Sequence, residues 1–177
     1  MSKDVLNHLT VPSAPQSEVG LTYGVVEAVI AEVLGIEPRG IGALRARLRH
    51  LRNLGVPGLH RPGSGKKIRY SRRQAFEMLT IMILEHGGFT PRLAISATQD
   101  IIGGARQLAD EEDVYALLVM ARDATAPEQE ARLVYGRFVR GEKELLEELK
   151  ELGAGFFLNV SALARNFENA LAKTSRA

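Results

Sequence analysis

Basic side chains are concentrated in one part of this 177-residue chain, where their chemistry is that of anion binding. From Arg39 to Arg73 the sequence contains eleven Lys and Arg residues and no Asp or Glu. The whole chain has 23 basic and 21 acidic residues, so the remainder of it is acidic. Because clustered cations repel one another unless an anionic partner neutralises them, this distribution indicates a polyanion such as a nucleic acid. The eleven residues are Arg39, Arg45, Arg47, Arg49, Arg52, Arg61, Lys66, Lys67, Arg69, Arg72 and Arg73.

Arg45, Arg49 and Arg52 belong to a predicted amphipathic helix. At about 100° per residue they lie together on one arc, with Asn53 at its edge and Arg47 on the far side. One helix could therefore present three guanidinium groups to the same groove of a duplex, and an asparagine there could pair with adenine. The helix is predicted over residues 41–54, with an apolar stripe of Ile41, Leu44, Leu48 and Leu51.

A turn and two short basic strands follow this helix. Residues 62–65 read Pro-Gly-Ser-Gly, which is typical of a turn, and the flanking residues 59–61 and 67–70 are predicted to pair as a hairpin. Such a hairpin could contact the phosphate backbone beside the groove. The basic residues of the hairpin are Arg61, Lys66, Lys67 and Arg69.

Ser71 is predicted to begin the next helix. Together with Gln74 it forms a capping-box pattern, in which each residue satisfies a backbone amide of the other. Arg72 and Arg73 then occupy the first turn, where the helix dipole disfavours cations. Residues placed against this local preference indicate a phosphate partner.

The remaining periodicities predict an α+β fold: a mainly helical winged helix-turn-helix domain followed by a small α/β domain. Residues 1–19 show no clear period and are predicted to be a flexible arm. Residues 20–109 would form the DNA-binding domain, with further helices at 21–34, from 71 to Gly87, and from 91 to about 108. Residues 110–177 would form the α/β domain. Its predicted elements are strands at 114–120, 132–139 and 155–160 and helices at 141–152 and 161–173, with Leu145, Leu146, Leu149 and Leu152 directed inward.

Four blocks of sequence carry a family resemblance. They are IAEVLGI (30–36), ALRARLRHLRNLGV (43–56), GSGKKIRYSRRQAFEML (63–79) and EHGGFTPRLAI (85–95). In this order they resemble the DNA-binding domain of MerR-like and excisionase-like winged-helix proteins, including bacterial transcriptional regulators. The resemblance covers less than half of the chain. It implies sequence-specific binding of double-stranded DNA, with the arginine-bearing helix in the major groove and the hairpin as the wing.

The predicted DNA-binding residues are ten cations and one asparagine. They are Arg39, Arg45, Arg49, Arg52, Asn53, Arg61, Lys66, Lys67, Arg69, Arg72 and Arg73. The chain departs from the MerR pattern after this region, because an α/β segment stands where a long dimerising helix usually follows. It also lacks the cysteines by which metal-sensing MerR regulators bind their ions. We therefore expect this chain to share only the DNA-binding domain with MerR-like proteins.

Other chemistries find little support in the sequence. The absence of cysteine excludes thiolate catalysis and disulfides, and the four histidines show no metal-ligand spacing. The GSGKK segment (63–67) is not a nucleotide-binding loop, because His60 stands where the pattern needs glycine and Lys67 where it needs Ser or Thr. We therefore predict no catalytic residue, no metal and no cofactor, and expect a binding protein rather than an enzyme.

The expected partners are double-stranded DNA and a second copy of the chain, paired through residues 110–177. A two-fold dimer would read two half-sites about one helical turn apart. No long apolar run or secretory signal is present, so we expect a cytoplasmic, nucleoid-associated protein without membrane contact. Two alternatives stay open: an excisionase-type architectural or recombination directionality factor, and a regulator whose α/β segment binds a small effector.

Overall fold

The computed structural model of the chain describes residues 20–58, 68–105, 113–121, 132–152 and 155–175. Within these residues the protein is α+β and mainly helical, with a three-stranded antiparallel sheet, which confirms the predicted α+β class. The helices are α1 (Tyr23–Val33), α2 (Ile41–Asn53), α3 (Arg72–His86), α4 (Pro91–Ala105), α5 (Gly141–Leu152) and α6 (Val160–Thr174). The strands are β1 (Val114–Ala121), β2 (Arg132–Arg140) and β3 (Phe156–Asn159), and a 3-10 turn, Pro38–Gly40, precedes α2.

Glycines end helices α1 and α2 where the sequence predicts an end. Gly35 has a φ of 62° and Gly55 a φ of 84°, in the left-handed region that a residue without Cβ adopts at no steric cost. After α1 the amide of Ile36 donates to the carbonyl oxygen of Ala31 at 2.8 Å, which closes the helix end. Local sequence signals therefore set the lengths of both helices.

The predicted wing hairpin lies mostly outside the described residues, which omit residues 59–67. In the described end of its second strand, Tyr70 forms an antiparallel bridge with Leu21. The Leu21 amide donates to the Tyr70 carbonyl oxygen at 2.7 Å, and the Tyr70 amide donates back at 2.9 Å. A Cβ on Gly20 would stand 2.7 Å from the Cβ of Arg69, so this close approach requires glycine. The strand end is thus anchored to the segment before α1.

The chain divides into two compact units, and both divisions fall inside helices. The described residues up to Ile83 and from Arg165 onward form one unit, called here the basic unit. Those from Leu84 to Ala164 form the other, called here the sheet unit. Helix α4, predicted to be part of the DNA-binding domain, belongs to the sheet unit. The predicted domain boundaries themselves fall outside the described residues and stay predictions.

Apolar faces of α1, α2, α3 and α6 form the core of the basic unit. Phe76 and Phe167 pack edge to face, with ring centroids 5.5 Å apart, and both are buried. At the surface, the Lys173 ammonium pairs with Glu32 at 2.7 Å. Residues 165–175 are therefore an integral part of the basic unit. Its fully buried side chains include Val26, Val29, Ile30, Leu44, Leu48, Leu51, Met78 and Leu79.

In the sheet unit, β1 lies between β2 and β3 and both neighbours are antiparallel to it. The face of the sheet that carries Tyr115 packs against Leu145 of α5. Phe156 pairs with Leu118, whose side chain points to the other face because side chains alternate along a strand. There Phe156 packs edge to face on Phe89, with centroids 5.3 Å apart. Helix α4 also contacts β2, so elements of this unit contact both faces of the sheet.

The prediction that all four leucines of α5 are directed inward is wrong for one of them. Leu145 is buried and Leu149 and Leu152 are partly buried, but Leu146 is 57% exposed. Position 146 lies about 100° around the helix from position 145, outside the stripe that the other three form at intervals of four and three. Leu146 is therefore a surface residue.

Candidate nucleic-acid interface

Helix α2 separates its apolar and cationic residues as the periodicity predicts. Leu44, Leu48 and Leu51 are at most 1% exposed and pack into the core of the basic unit. On the neighbouring arc Arg49 and Asn53 are exposed. No acidic residue occurs anywhere in the helix, so nothing within it offsets the charge of its arginines. This face can therefore attract an anion and hydrogen-bond to it.

The guanidinium of Arg45 is paired with a carboxylate of helix α1. Its Nε and Nη2 donate to the two oxygens of Glu27 at 2.8 and 2.9 Å, in a bidentate pair between α1 and α2. The Glu27 side chain is only 12% exposed, and its hydrogen bond and charge raise the pKa of Arg45. Arg45 lies on the same predicted arc of α2 as Arg49. Its guanidinium, however, links α2 to α1 through Glu27.

Arg52 is half-buried beside a pocket in the basic unit. This cavity, called here the Tyr70 pocket, has a volume of about 370 Å³. Burial raises the pKa of both Tyr23 and Tyr70, and the nearby charge of Arg52 opposes the shift in each case. Both phenols are protonated at neutral pH, as an ordinary tyrosine is, and can donate hydrogen bonds. The pocket is lined by Thr22, Tyr23, Gly24, Arg52, Ile68, Arg69 and Tyr70.

The capping box at the start of α3 is confirmed. The Gln74 amide donates to Ser71 Oγ at 3.1 Å, and the Ser71 amide donates to Gln74 Oε1 at 2.9 Å. Arg72 in the first turn pairs with Glu168 of α6 at 3.2 Å. Arg73 is exposed, and burial raises the pKa of Glu77 one turn further on while the charge of Arg73 opposes that shift. The cap thus presents two exposed cations at the helix start.

The other predicted DNA-contact residues differ in the partners that their side chains have in the structure. Arg69 is exposed, and its Nη1 donates to the carbonyl oxygen of Gly20 at 3.1 Å. Arg39 pairs with Glu37 at 2.8 Å, and both side chains are largely exposed. Such a pair stabilises little and can exchange partners. Three further predicted residues, Arg61, Lys66 and Lys67, lie outside the described residues.

Two tyrosines and one glutamate near these cations were not predicted from the sequence. Tyr23 and Tyr70 line the pocket beside Arg52, and Glu27 holds Arg45. Glu27 lies 18 residues from its partner, so helical spacing gives no signal for the pair. The sequence predicts that a basic strand ends at Tyr70. It does not predict that the Tyr70 side chain is buried.

Among the described residues, no group of three His, Asp or Glu side chains could hold a metal ion. In the same part of the chain no helix is long and apolar enough to cross a lipid bilayer. The exposed side chains of Arg49, Arg69, Arg72 and Arg73 on the basic unit suit an anionic ligand. Comparison with protein-family models and with curated proteins finds no match to this chain.

Proposed function

We propose that the protein is a sequence-specific regulator of transcription that binds double-stranded DNA through the basic unit. The observation that carries this proposal is helix α2, whose acid-free surface exposes Arg49 and Asn53 next to a buried leucine stripe. A helix with such a face fits the major groove, where arginine recognises guanine and asparagine recognises adenine. Such a regulator acts in the cytoplasm, on the DNA of the nucleoid.

In this proposal the cations outside α2 contact the phosphate backbone and not the bases. Arg69, Arg72 and Arg73 are exposed around the start of α3, and we assign them to the phosphate backbone. Arg72 would exchange its partly exposed partner, Glu168, for a phosphate. These contacts set the position of the protein on the duplex, while Arg49 and Asn53 distinguish its sequence. The wing cations predicted from the sequence, Arg61, Lys66 and Lys67, would add to the backbone set.

A salt titration with duplex DNA tests the proposal directly. The affinity of the full chain for a labelled random duplex, measured by fluorescence anisotropy, should fall linearly on a log–log plot against salt concentration, because bound cations release counterions. Selection from a random pool should then yield a duplex that binds at least about a thousandfold more tightly than random sequence. A chain that forms no salt-sensitive complex with either duplex would refute the proposal.

We further propose that the protein acts as a homodimer through residues 110–177. Two large apolar side chains of the sheet unit, Leu146 and Phe157, are 57% and 51% exposed. Phe157 lies on β3, an edge strand of the sheet, where a second copy could pack. A dimer would bring two copies of α2 to one DNA site, which raises affinity through effective concentration.

Light scattering of two matched leucine variants tests this dimer. The wild-type protein should show twice the 19.4-kDa mass of one chain at micromolar concentration. Leu146→Glu should shift the mass toward one chain, because burying a carboxylate in an apolar interface is unfavourable. Leu54→Glu makes the same change at a leucine of the basic unit that is 43% exposed, and should leave the dimer intact. A single-chain mass for the wild type, or equal dissociation of both variants, would contradict the dimer.

A further inference from the structure

Two neighbouring arginines of α2 differ in the charge that they can offer to a ligand. Arg45 and Arg49 are four residues apart, so they lie side by side on the helix, and both are exposed. Among the described residues, no ion pair involves Arg49. Arg45 instead donates from Nε and Nη2 to both carboxylate oxygens of Glu27, at 2.8 and 2.9 Å. The positive charge of Arg45 is therefore neutralised within the protein.

The carboxylate that pairs with Arg45 is mostly shielded from solvent. The Glu27 side chain is 12% exposed, whereas that of Arg45 is 58% exposed. A shielded carboxylate is stable as an anion when a cation hydrogen-bonds to it, and removal of that partner is strongly unfavourable. Arg45 could move to a phosphate of DNA only by leaving Glu27 unpaired beside a second anion. The structure therefore favours keeping the Arg45 guanidinium on Glu27.

The ion pair of Arg72, at the start of α3, is weaker than that of Arg45. Arg72 donates one hydrogen bond to Glu168, at 3.2 Å, and the Glu168 side chain is 26% exposed. A single bond to a carboxylate that water reaches is readily exchanged for a phosphate. Two short parallel bonds between a guanidinium and a carboxylate are stronger. Of these two arginines, Arg72 is therefore the one that DNA can engage.

We infer that Glu27 limits the sequence-independent affinity of the protein for DNA by withholding Arg45 from the phosphate backbone. This inference rests on the proposed function, in which α2 enters the major groove. Sequence-independent affinity grows with the number of cations that reach phosphates, whereas the preference for one site depends on base contacts. A neutralised arginine beside Arg49 adds nothing to the first of these. Glu27 thus influences the DNA interface without contacting DNA itself.

Variants of the two paired residues, measured on the full chain with a labelled random duplex, test this role. Glu27→Gln keeps the shape of the side chain and removes its charge, so that Arg45 can turn to a phosphate. The affinity in fluorescence anisotropy should rise about threefold to tenfold, and the log–log salt slope should steepen by about one. Adding Arg45→Gln to Glu27→Gln should return the affinity to within about twofold of the wild-type value.

The matched control is Glu32→Gln, which removes the same charge from the same helix. Glu32 pairs with Lys173 of α6 and not with an arginine of α2, so this variant should change the affinity less than about twofold. A rise in affinity for Glu27→Gln also excludes a purely structural role for the pair. Loosening α1 from α2 would weaken DNA binding, whereas release of a cation strengthens it.

Three results would overturn the inference while leaving the proposed function intact. An affinity that does not rise in Glu27→Gln would show that the carboxylate does not restrain Arg45. An equal rise in Glu32→Gln would show an effect of net charge alone. A double variant that binds as weakly as Arg73→Gln would show that Arg45 contacts DNA while it is paired. A wild-type chain that forms no salt-sensitive complex refutes the proposed function, and it refutes this inference too if Glu27→Gln forms none.

Discussion

Arg49→Ala should reduce the preference for a selected duplex over random DNA by about tenfold to a hundredfold, or about 1–3 kcal/mol. The Arg49 side chain is exposed on the acid-free face of α2, next to the exposed Asn53. A guanidinium there can bind guanine through two parallel hydrogen bonds, which alanine cannot replace. Competition anisotropy with the selected and the random duplex at one salt concentration measures the preference.

Two matched arginine variants sharpen the test of Arg49. Arg73→Ala removes an exposed cation at the start of α3, so it should weaken selected and random duplexes alike. Arg45→Ala should change the preference less than Arg49→Ala does, because Glu27 already engages the Arg45 guanidinium. Equal losses on both duplexes for Arg49→Ala would show that α2 contributes only charge. A larger loss of preference for Arg45→Ala would show that its pair with Glu27 opens on DNA.

Phe167→Ala should lower the free energy of unfolding by about 3–5 kcal/mol, the usual result of truncating a large buried aromatic side chain. Phe167 is 2% exposed and packs edge to face on Phe76 of α3. Removal of its ring leaves a cavity and eliminates the contact between the two rings. Urea denaturation followed by far-UV circular dichroism measures the change. A loss of this size would also weaken DNA binding near the melting temperature, because the basic unit includes residues 165–175.

The matched control is Phe157→Ala, which removes the same side chain from a position that is 51% exposed. It should lower the free energy of unfolding by less than about 1 kcal/mol in the monomeric range of concentration, since about half of that residue is already exposed to solvent. If the two substitutions destabilise the chain equally, then Phe167 does not belong to a core of the basic unit. That result would leave residues 20–109 free to fold without the C-terminal helix.

Local signals in the sequence were sufficient to predict the helices α1 to α6, the three strands of the sheet and the α+β fold class. The leucine spacing of α2, the glycines after α1 and α2 and the Ser71–Gln74 capping box all act within a few residues. Such short-range patterns report which face of an element is apolar and where the element ends. The cationic face of α2 was predictable for the same reason, because the positions of Arg49 and Asn53 follow from helical geometry alone.

Contacts between residues far apart in the chain could not be predicted, because they depend on how the elements pack. Arg45 bonds to Glu27 across 18 residues, and Arg72 meets Glu168 across 96. Phe167, predicted to belong to a separate C-terminal domain, packs in the same unit as α3. The spacing of residues along the sequence defines the apolar or charged face of one helix or strand. Many other faces could pack against it equally well, so its actual partner depends on how the whole chain packs. The helices, the strands and the surface charge of α2 therefore follow from residue spacing, whereas packing sets which arginine pairs with a carboxylate and which tyrosine hydroxyl is left unpaired among the described residues.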